Sequence, residues 1–221
     1  MGEWTVPKQT FYNLPEDKRI YIENCAIEEF AVSAYDKVSI SKIVEKAGIA
    51  KGSFYQYFDG KIDLASYLLE RIAYEELAYI EKNECVSLNE SDDFFDWLRH
   101  QIGLSLQFAF SNMNYIQAYK RLLAVDIPAL NDVLARVTGT IGVNFYVKKI
   151  KIGVETGKLR NDLSPEFLGQ YVMIVMFSLL DSYFKTGADD GTTVNEELMT
   201  LINQSIDVIE NGIKKKGDSR C

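Results

Sequence analysis

The stretch VSISKIVEKAGIAKGSFYQYFDGK, residues Val38 to Lys61, spells two short helices joined by a tight turn. Ser39 is placed to cap the first, because its hydroxyl can accept from the free backbone N–H groups of the opening turn. Ile40, Ile43, Val44 and Ala47 follow at i, i+3, i+4 and i+7 and make one apolar stripe. Gly48 supplies the stop, since glycine takes positive φ without a Cβ clash. A second helix opens near Ala50. Phe54 and Phe58, four apart, point to one side and leave Lys51, Ser53, Tyr55 and Gln56 on the others. Two helices, a glycine turn, an apolar inside and a hydrogen-bonding outside make a helix-turn-helix. The outer face offers a cation, hydroxyls and an amide with little bulk near the helix start, which suits docking against DNA. The bland alternative is a structural hairpin with Tyr55 and Tyr57 turned inward. Against it, Phe54 and Phe58 already fill the inward positions, and Tyr55 lies about 100° round the axis from Phe54.

AGIAKGSFYQYFDGKIDL, Ala47 to Leu64, resembles the end of the DNA-binding region of the TetR (tetracycline repressor) family of bacterial regulators. The small-residue turn, Lys51-Gly52-Ser53, the aromatic run Phe54-Tyr55 to Phe58, and Lys61 followed by Leu64 carry the likeness. It extends over roughly residues 16–70; beyond them only length and helical pattern agree. By matching position, the resemblance implies that Ser39 and Ser41 contact phosphate. It implies that Lys51, Gly52, Ser53 and Gln56 approach bases or backbone in the major groove, Gly52 because a side chain there could block close approach. Tyr55, Tyr57 and Lys61 would hold phosphates. Gly60 stands where the family usually has a polar cap, which predicts a loosely fixed helix start at Lys61.

Around this centre the chain reads as all-α. Residues 1–14 look like an irregular arm from which Trp4, Phe11 and Tyr12 can pack on the body. Pro15-Glu16-Asp17 opens a helix with Ile22, Ala26, Ile27 and Phe30 on one face, ending near Tyr35. Lys61 to about Asn83 forms a long helix that starts in the DNA-binding part and leaves it. A polar loop at Asn83–Asp92 precedes a helix from about Asp93 to Ser111. A shorter helix runs from about Tyr115 to Ala124, and a long one from Asp126-Ile127-Pro128 to about Glu155. Gly157 stops that helix, and Ser164-Pro165-Glu166 opens the next, apolar almost all round from Tyr171 to Leu180. A loop at Gly187–Gly191, a last helix from about Thr193 to Lys215 and a solvated tail complete the chain.

The expected architecture is therefore an N-terminal three-helix domain with the helix-turn-helix, residues 1–65, and a larger helical domain, residues 66–221, with about nine helices in all. The resemblance implies that the second domain binds a ligand among its middle helices and dimerises through the helices near 164–186 and 193–215. Its aromatic side chains are mostly ordinary core by spacing. Trp97, His100, Phe108, Tyr115, Tyr119, Tyr146 and Phe177 are the candidate ligand-binding residues.

Composition narrows the function classes. The 221 residues are 47% hydrophobic and 25% charged, as in a globular chain with a sizeable core. The net charge of −8 is not that of a protein that coats nucleic acid non-specifically. Met1–Lys61 holds eight Lys plus Arg against nine Asp plus Glu, so the acidity sits downstream of the DNA-binding stretch. Cys25, Cys85 and Cys221 are odd in number and widely spaced, which reads as free thiols in a reducing cytoplasm. No leader pattern and no membrane-length apolar run stands out. With one histidine, His100, and no GxSxG, HExxH, GxxxxGK[ST] or GxGxxG, neither a metal, a cofactor nor a catalytic constellation is indicated. Glu28-Glu29 and Asp92-Asp93 read as solvated or capping charges.

These readings converge on a homodimeric repressor that is not an enzyme. It would bind a palindromic double-stranded DNA operator and be released by a small, largely apolar effector. The alternative is a helical enzyme or carrier, or a protein-interaction module, with a vestigial helix-turn-helix.

Overall fold

The computed structural model describes residues 7–84, 93–186 and 196–213. Among them every regular element is helical. In chain order these are α1 (Gln9–Tyr12), α2 (Glu16–Val32), α3 (Ile40–Lys46), α4 (Lys51–Tyr57), α5 (Lys61–Asn83), α6 (Phe94–Ser111), α7 (Met113–Leu123), α8 (Pro128–Arg136), α9 (Val143–Glu155), α10 (Pro165–Thr186) and α11 (Glu196–Ile213). The chain divides into two compact units. One comprises residues up to Glu75 with Asn112–Leu134; the other comprises Glu76–Ser111 with Ala135 onward. The division falls inside α5, which runs unbroken through it.

In the first unit, α2 buries Ile22, Ala26, Ile27 and Phe30 as its spacing predicts, and also Cys25, a free thiol. It ends at Val32, before Tyr35; Tyr35–Lys37 instead form a single 3₁₀ turn leading to α3. The arm also differs from expectation. Residues Gln9–Tyr12 are helical, and Phe11 is fully buried among the rings of Tyr57, Phe58 and Tyr67. Trp4 and the loop and tail segments around Cys85, Asp189 and Cys221 lie outside the described residues. Helix α7 packs along α2, with the Arg121 guanidinium donating to the Ala31 carbonyl at 2.9 Å.

In the second unit the core joins Trp97, Leu98, Ile102 and Leu106 of α6 to Ile150 of α9, Leu168 and Val172 of α10, and Leu198, Ile202 and Ile206 of α11. Two helix ends illustrate how local chemistry sets the boundaries. Asp93 accepts from the Phe95 N–H at 2.7 Å and so caps α6. At the other end of the set, Gly157 takes φ +72°, and the N–H groups of Gly157 and Lys158 close back onto the carbonyls of Val154 and Gly153.

The helix expected from Pro128 to Glu155 is interrupted. Val137–Gly142, VTGTIG, forms a π-helical turn between α8 and α9. Its glycines and β-branched residues are weak helix formers. At Gly142 a Cβ would stand 2.8 Å from the Met173 Cε of α10, so a side chain there would have to displace the end of Met173. Helix α10 includes the stretch from Tyr171 to Leu180 that is apolar almost all round in sequence. Leu168, Val172 and Met176 are buried, whereas Phe167, Tyr171 and Ile174 are 53%, 41% and 58% exposed.

Candidate nucleic-acid interface and effector unit

The helix-turn-helix is built as its sequence dictates. The Ser39 side chain caps α3, accepting from the Lys42 N–H. Glu29 of α2 accepts from the Ser39 N–H at 3.1 Å, so one of the paired glutamates acts as a capping charge. Ile43, Val44 and Ala47 are buried. Gly48 takes φ +62°, and the N–H groups of Gly48 and Ile49 return to the carbonyls of Glu45 and Val44, a Schellman stop. Phe54 and Phe58 are each 1% exposed and pin α4 to the unit's core. Tyr55 is 45% exposed.

On the outer face, the Lys51 ammonium donates to the Ser41 hydroxyl at 3.3 Å and so joins α3 to α4. Both residues are exposed, with Gly52 and Gln56 beside them and Ser53 half-buried. A Cβ on Gly52 would meet nothing within 4 Å, and its backbone is ordinary helix. No internal packing calls for glycine there.

Two expected phosphate ligands sit differently. Tyr57 is buried, packed against Phe11 at 5.6 Å between ring centres, because the arm covers that side of α4. Lys61 donates to the carbonyls of Tyr35 (2.7 Å), Asp36 (3.2 Å) and Val38 (3.4 Å), and its ammonium stands 4.7 Å from the Tyr35 ring centre. An ammonium has three hydrogens; three carbonyls use them. The start of α5 is not loose either: buried Asp63 reaches back to accept from the Asp59 N–H at 2.9 Å and ties the first turn to the residues before it.

Lys8 and Thr10 are neighbours of α4 that the sequence did not signal. The Lys8 N–H donates to the Tyr57 carbonyl at 2.9 Å and its ammonium to the Tyr55 carbonyl at 3.1 Å. The Thr10 hydroxyl donates to the Gln56 carbonyl. The arm thus satisfies the last three carbonyls of α4, which would otherwise end unpaired.

The candidate ligand residues are divided between the two units. Tyr115 and Tyr119 lie on α7 in the first unit, where the Tyr115 hydroxyl meets Asn24 at 3.4 Å; their helix is bound up with α2. Trp97, His100, Phe108, Tyr146 and Phe177 lie in the second unit. Trp97 is fully enclosed and donates its indole N–H to Glu84 at 2.8 Å. Glu84 also holds Lys149 at 2.7 Å. Burial pushes the Glu84 carboxyl up, but the bonds from Lys149 and Trp97 outweigh it and hold the pKa below the ordinary value. Phe177 is half-buried on α10. On α6 the His100 Nε2 and both amide atoms of Gln101 are buried without a partner. Among the described residues, no group of three or more His, Cys, Asp or Glu could hold a metal ion, and no helix is long and apolar enough to cross a membrane.

Residues 24–68 match the sequence profile described as bacterial regulatory proteins, tetR family. Over 90 residues the chain is 37% identical to an uncharacterised HTH-type transcriptional regulator of Bacillus subtilis (strain 168), YvdT; the match spans 41% of this chain and 42% of that relative, less than half its length. A crystal structure of a TetR family transcriptional regulator from Chloroflexus aurantiacus J-10-FL superposes with a TM-score of 0.63 at 29% identity, covering 96% of this chain and all of the other. The SmeT–triclosan complex shares the fold, with a TM-score of 0.68 at 16% identity over 91% of this chain and 94% of the other. The matched profile covers the end of α2, α3, α4 and the start of α5, the segment whose caps, turn and buried phenylalanines are described above, and over residues 24–68 the chain is similar to the bacterial regulatory proteins of the TetR family.

Proposed function

We propose that the chain is a transcriptional repressor that binds a palindromic operator as a homodimer and is released by a small-molecule effector. The observation that carries this reading is the outer face of α3 and α4. Ser41, Lys51, Gly52, Tyr55 and Gln56 stand exposed together on a frame fixed from behind by Phe54 and Phe58. Ser39 and Ser53 flank it, half-buried. Lys51 and Tyr55 supply phosphate or base contacts, and bare Gly52 allows close approach.

Dimerisation through α10 and α11 is supported by their surfaces. Phe167, Tyr171 and Ile174 recur at i, i+4 and i+7, and Leu201 and Val208 on α11 are 42% and 65% exposed. Tyr171, Val175, Leu201 and Val208 line a groove of about 210 Å³. An apolar face of this kind on a folded unit calls for a partner, and a two-fold axis would pair it with itself. Control by an effector is supported by the fold shared with the SmeT–triclosan complex and by the unpaired polar groups inside the second unit. The effector would favour a spacing of the two recognition helices that no longer matches major grooves about 34–36 Å apart.

Selection of DNA sites from a random pool by the purified protein tests this function. Recovery of an inverted repeat supports it. Failure to enrich any site would return weight to a helical carrier, enzyme or protein-interaction module.

A further inference from the structure

We propose that the interior of the second unit holds a binding site for an aromatic cation, with the Glu76 carboxylate as its counter-charge and the Gln101 carboxamide as its hydrogen-bonding partner. The proposal rests on the effector-responsive reading above and adds the chemical class of the ligand.

Three helices converge on the site. On α6, Trp97, Gln101, Ser105 and Phe108 recur at i, i+4, i+8 and i+11 and form one stripe. From α5, Glu76 hydrogen-bonds the Ser105 side chain, and the Tyr79 ring lies 5.6 Å from that of Phe108. From α9, Phe145 and Tyr146 lie 5.6 and 6.2 Å from Trp97, and the Tyr146 phenol is raised by burial and by the nearby Glu76 charge. Gln101 sits midway along the stripe, between the indole and the Glu76–Ser105 pair.

Gln101 is 1% exposed, and neither its amide nitrogen nor its oxygen has a partner. Each such orphan destabilises the folded protein, because it has lost its bonds to water and gained none in return. A leucine would fill the same space without that penalty, so the carboxamide calls for a group that enters from outside with a donor and an acceptor. Glu76 shows the matching deficit in charge. The residue keeps some solvent contact, but its carboxyl lies deep in the unit, and burial raises its pKa against the pull of the Ser105 bond. Among the described residues no lysine or arginine pairs with it. Lys149 is engaged by Glu84, and Arg99 by Asp96 and Glu210. A cation on an aromatic frame would neutralise Glu76 and present its face to Tyr79 and Tyr146.

The test uses the full chain and matched probes. 2-Naphthylmethylamine and 9-aminoacridine are cationic at neutral pH; 2-naphthylmethanol is the neutral counterpart and 2-naphthoate the anionic one. Titration calorimetry should give the amine an affinity at least about tenfold above that of the alcohol, as expected for a desolvated charge pair. Glu76→Gln should abolish that preference while alcohol binding stays within about twofold. Gln101→Leu should weaken the cations and raise the thermal midpoint, because two orphan groups are removed. Equal or tighter binding of the alcohol or the naphthoate, a preference that survives Glu76→Gln, or a lower midpoint in Gln101→Leu would overturn the site. Operator affinity read on the same samples separates the two claims. Glu76-dependent cation binding without any change at the operator would keep the site and remove effector control. Operator binding by a dimer without Glu76-dependent cation binding would do the reverse.

Discussion

The Lys61 ammonium donates to the Tyr35 carbonyl oxygen at 2.7 Å and stands 4.7 Å from the centre of the same residue's ring. With its further bonds to the carbonyls of Asp36 and Val38, it ties the first turn of α5 to the 3₁₀ turn that delivers Ser39 to α3. Lys61 thus acts as a positioning residue for the helix-turn-helix. Its charge is not free to meet a phosphate unless those bonds break.

Lys61→Met keeps the aliphatic stem and removes the ammonium. Losing bonds from a charged donor should lower unfolding free energy by about 1–3 kcal/mol. Operator affinity should fall, with the salt dependence of binding unchanged. Lys51→Ala should instead reduce the slope of log K against log salt by about one, as a lost phosphate contact does. Titrations at four or five salt concentrations distinguish the two lysines.

Phe11 should matter more than any arm residue of ordinary exposure. It is fully buried among three aromatic rings while its neighbours Lys8 and Thr10 close the end of α4. Phe11→Ala should cost about 3–5 kcal/mol in urea unfolding. Lys8→Ala, which loses an exposed ion pair with Asp59 and one carbonyl bond, should cost less than about 1 kcal/mol.

The difference between Phe54 and Phe11 shows what sequence can and cannot reveal here. Phe54, Phe58, Ile43, Gly48 and Ser39 act within one or two helical turns, so period, cap and stop are written in adjacent residues. Phe11, Lys8 and Thr10 find their partners more than forty positions away, and a four-residue helix gives no periodic signal. For Tyr57 the resemblance implied a phosphate contact, and the arm that buries it could not be placed from sequence. Tyr115 and Tyr119 have the spacing of ordinary core residues, and the packing of α7 on α2 places them in the first unit. Gln101 reads as an ordinary polar position; its orphaned carboxamide emerges only once α5, α6 and α9 are assembled.

Ile174 and Val208 are 58% and 65% exposed, so changing them should spare the folded unit and strike only its assembly. Ile174→Asp and Val208→Asp should each give a helical protein of unchanged far-ultraviolet spectrum that sediments as a monomer at micromolar concentration. Dimers that persist in both variants would move the interface away from α10 and α11.

The Glu84 cluster predicts a pH response. The folded-state pKa of Glu84 is held below the ordinary value of 4.5, so its contribution is fully present above that value. It disappears as pH falls through the depressed folded pKa. Glu84→Gln should therefore be less stable than the parent at neutral pH, with the difference shrinking as the medium is acidified. In a Trp4→Phe background, emission from Trp97, whose N–H bonds Glu84 at 2.8 Å, reports the same transition.

The central claim is that the exposed face of α3 and α4 binds operator DNA. Its most direct measurement is the equilibrium affinity of the parent and of the Lys51→Ala, Tyr55→Phe double variant for the palindrome selected from a random pool. Helicity and dimer mass are checked in parallel. The expected result is a loss of roughly tenfold or more in the double variant, in line with about 1–3 kcal/mol per lost contact, with fold and dimer intact. Unchanged affinity in a folded, dimeric double variant would contradict the assignment of this face.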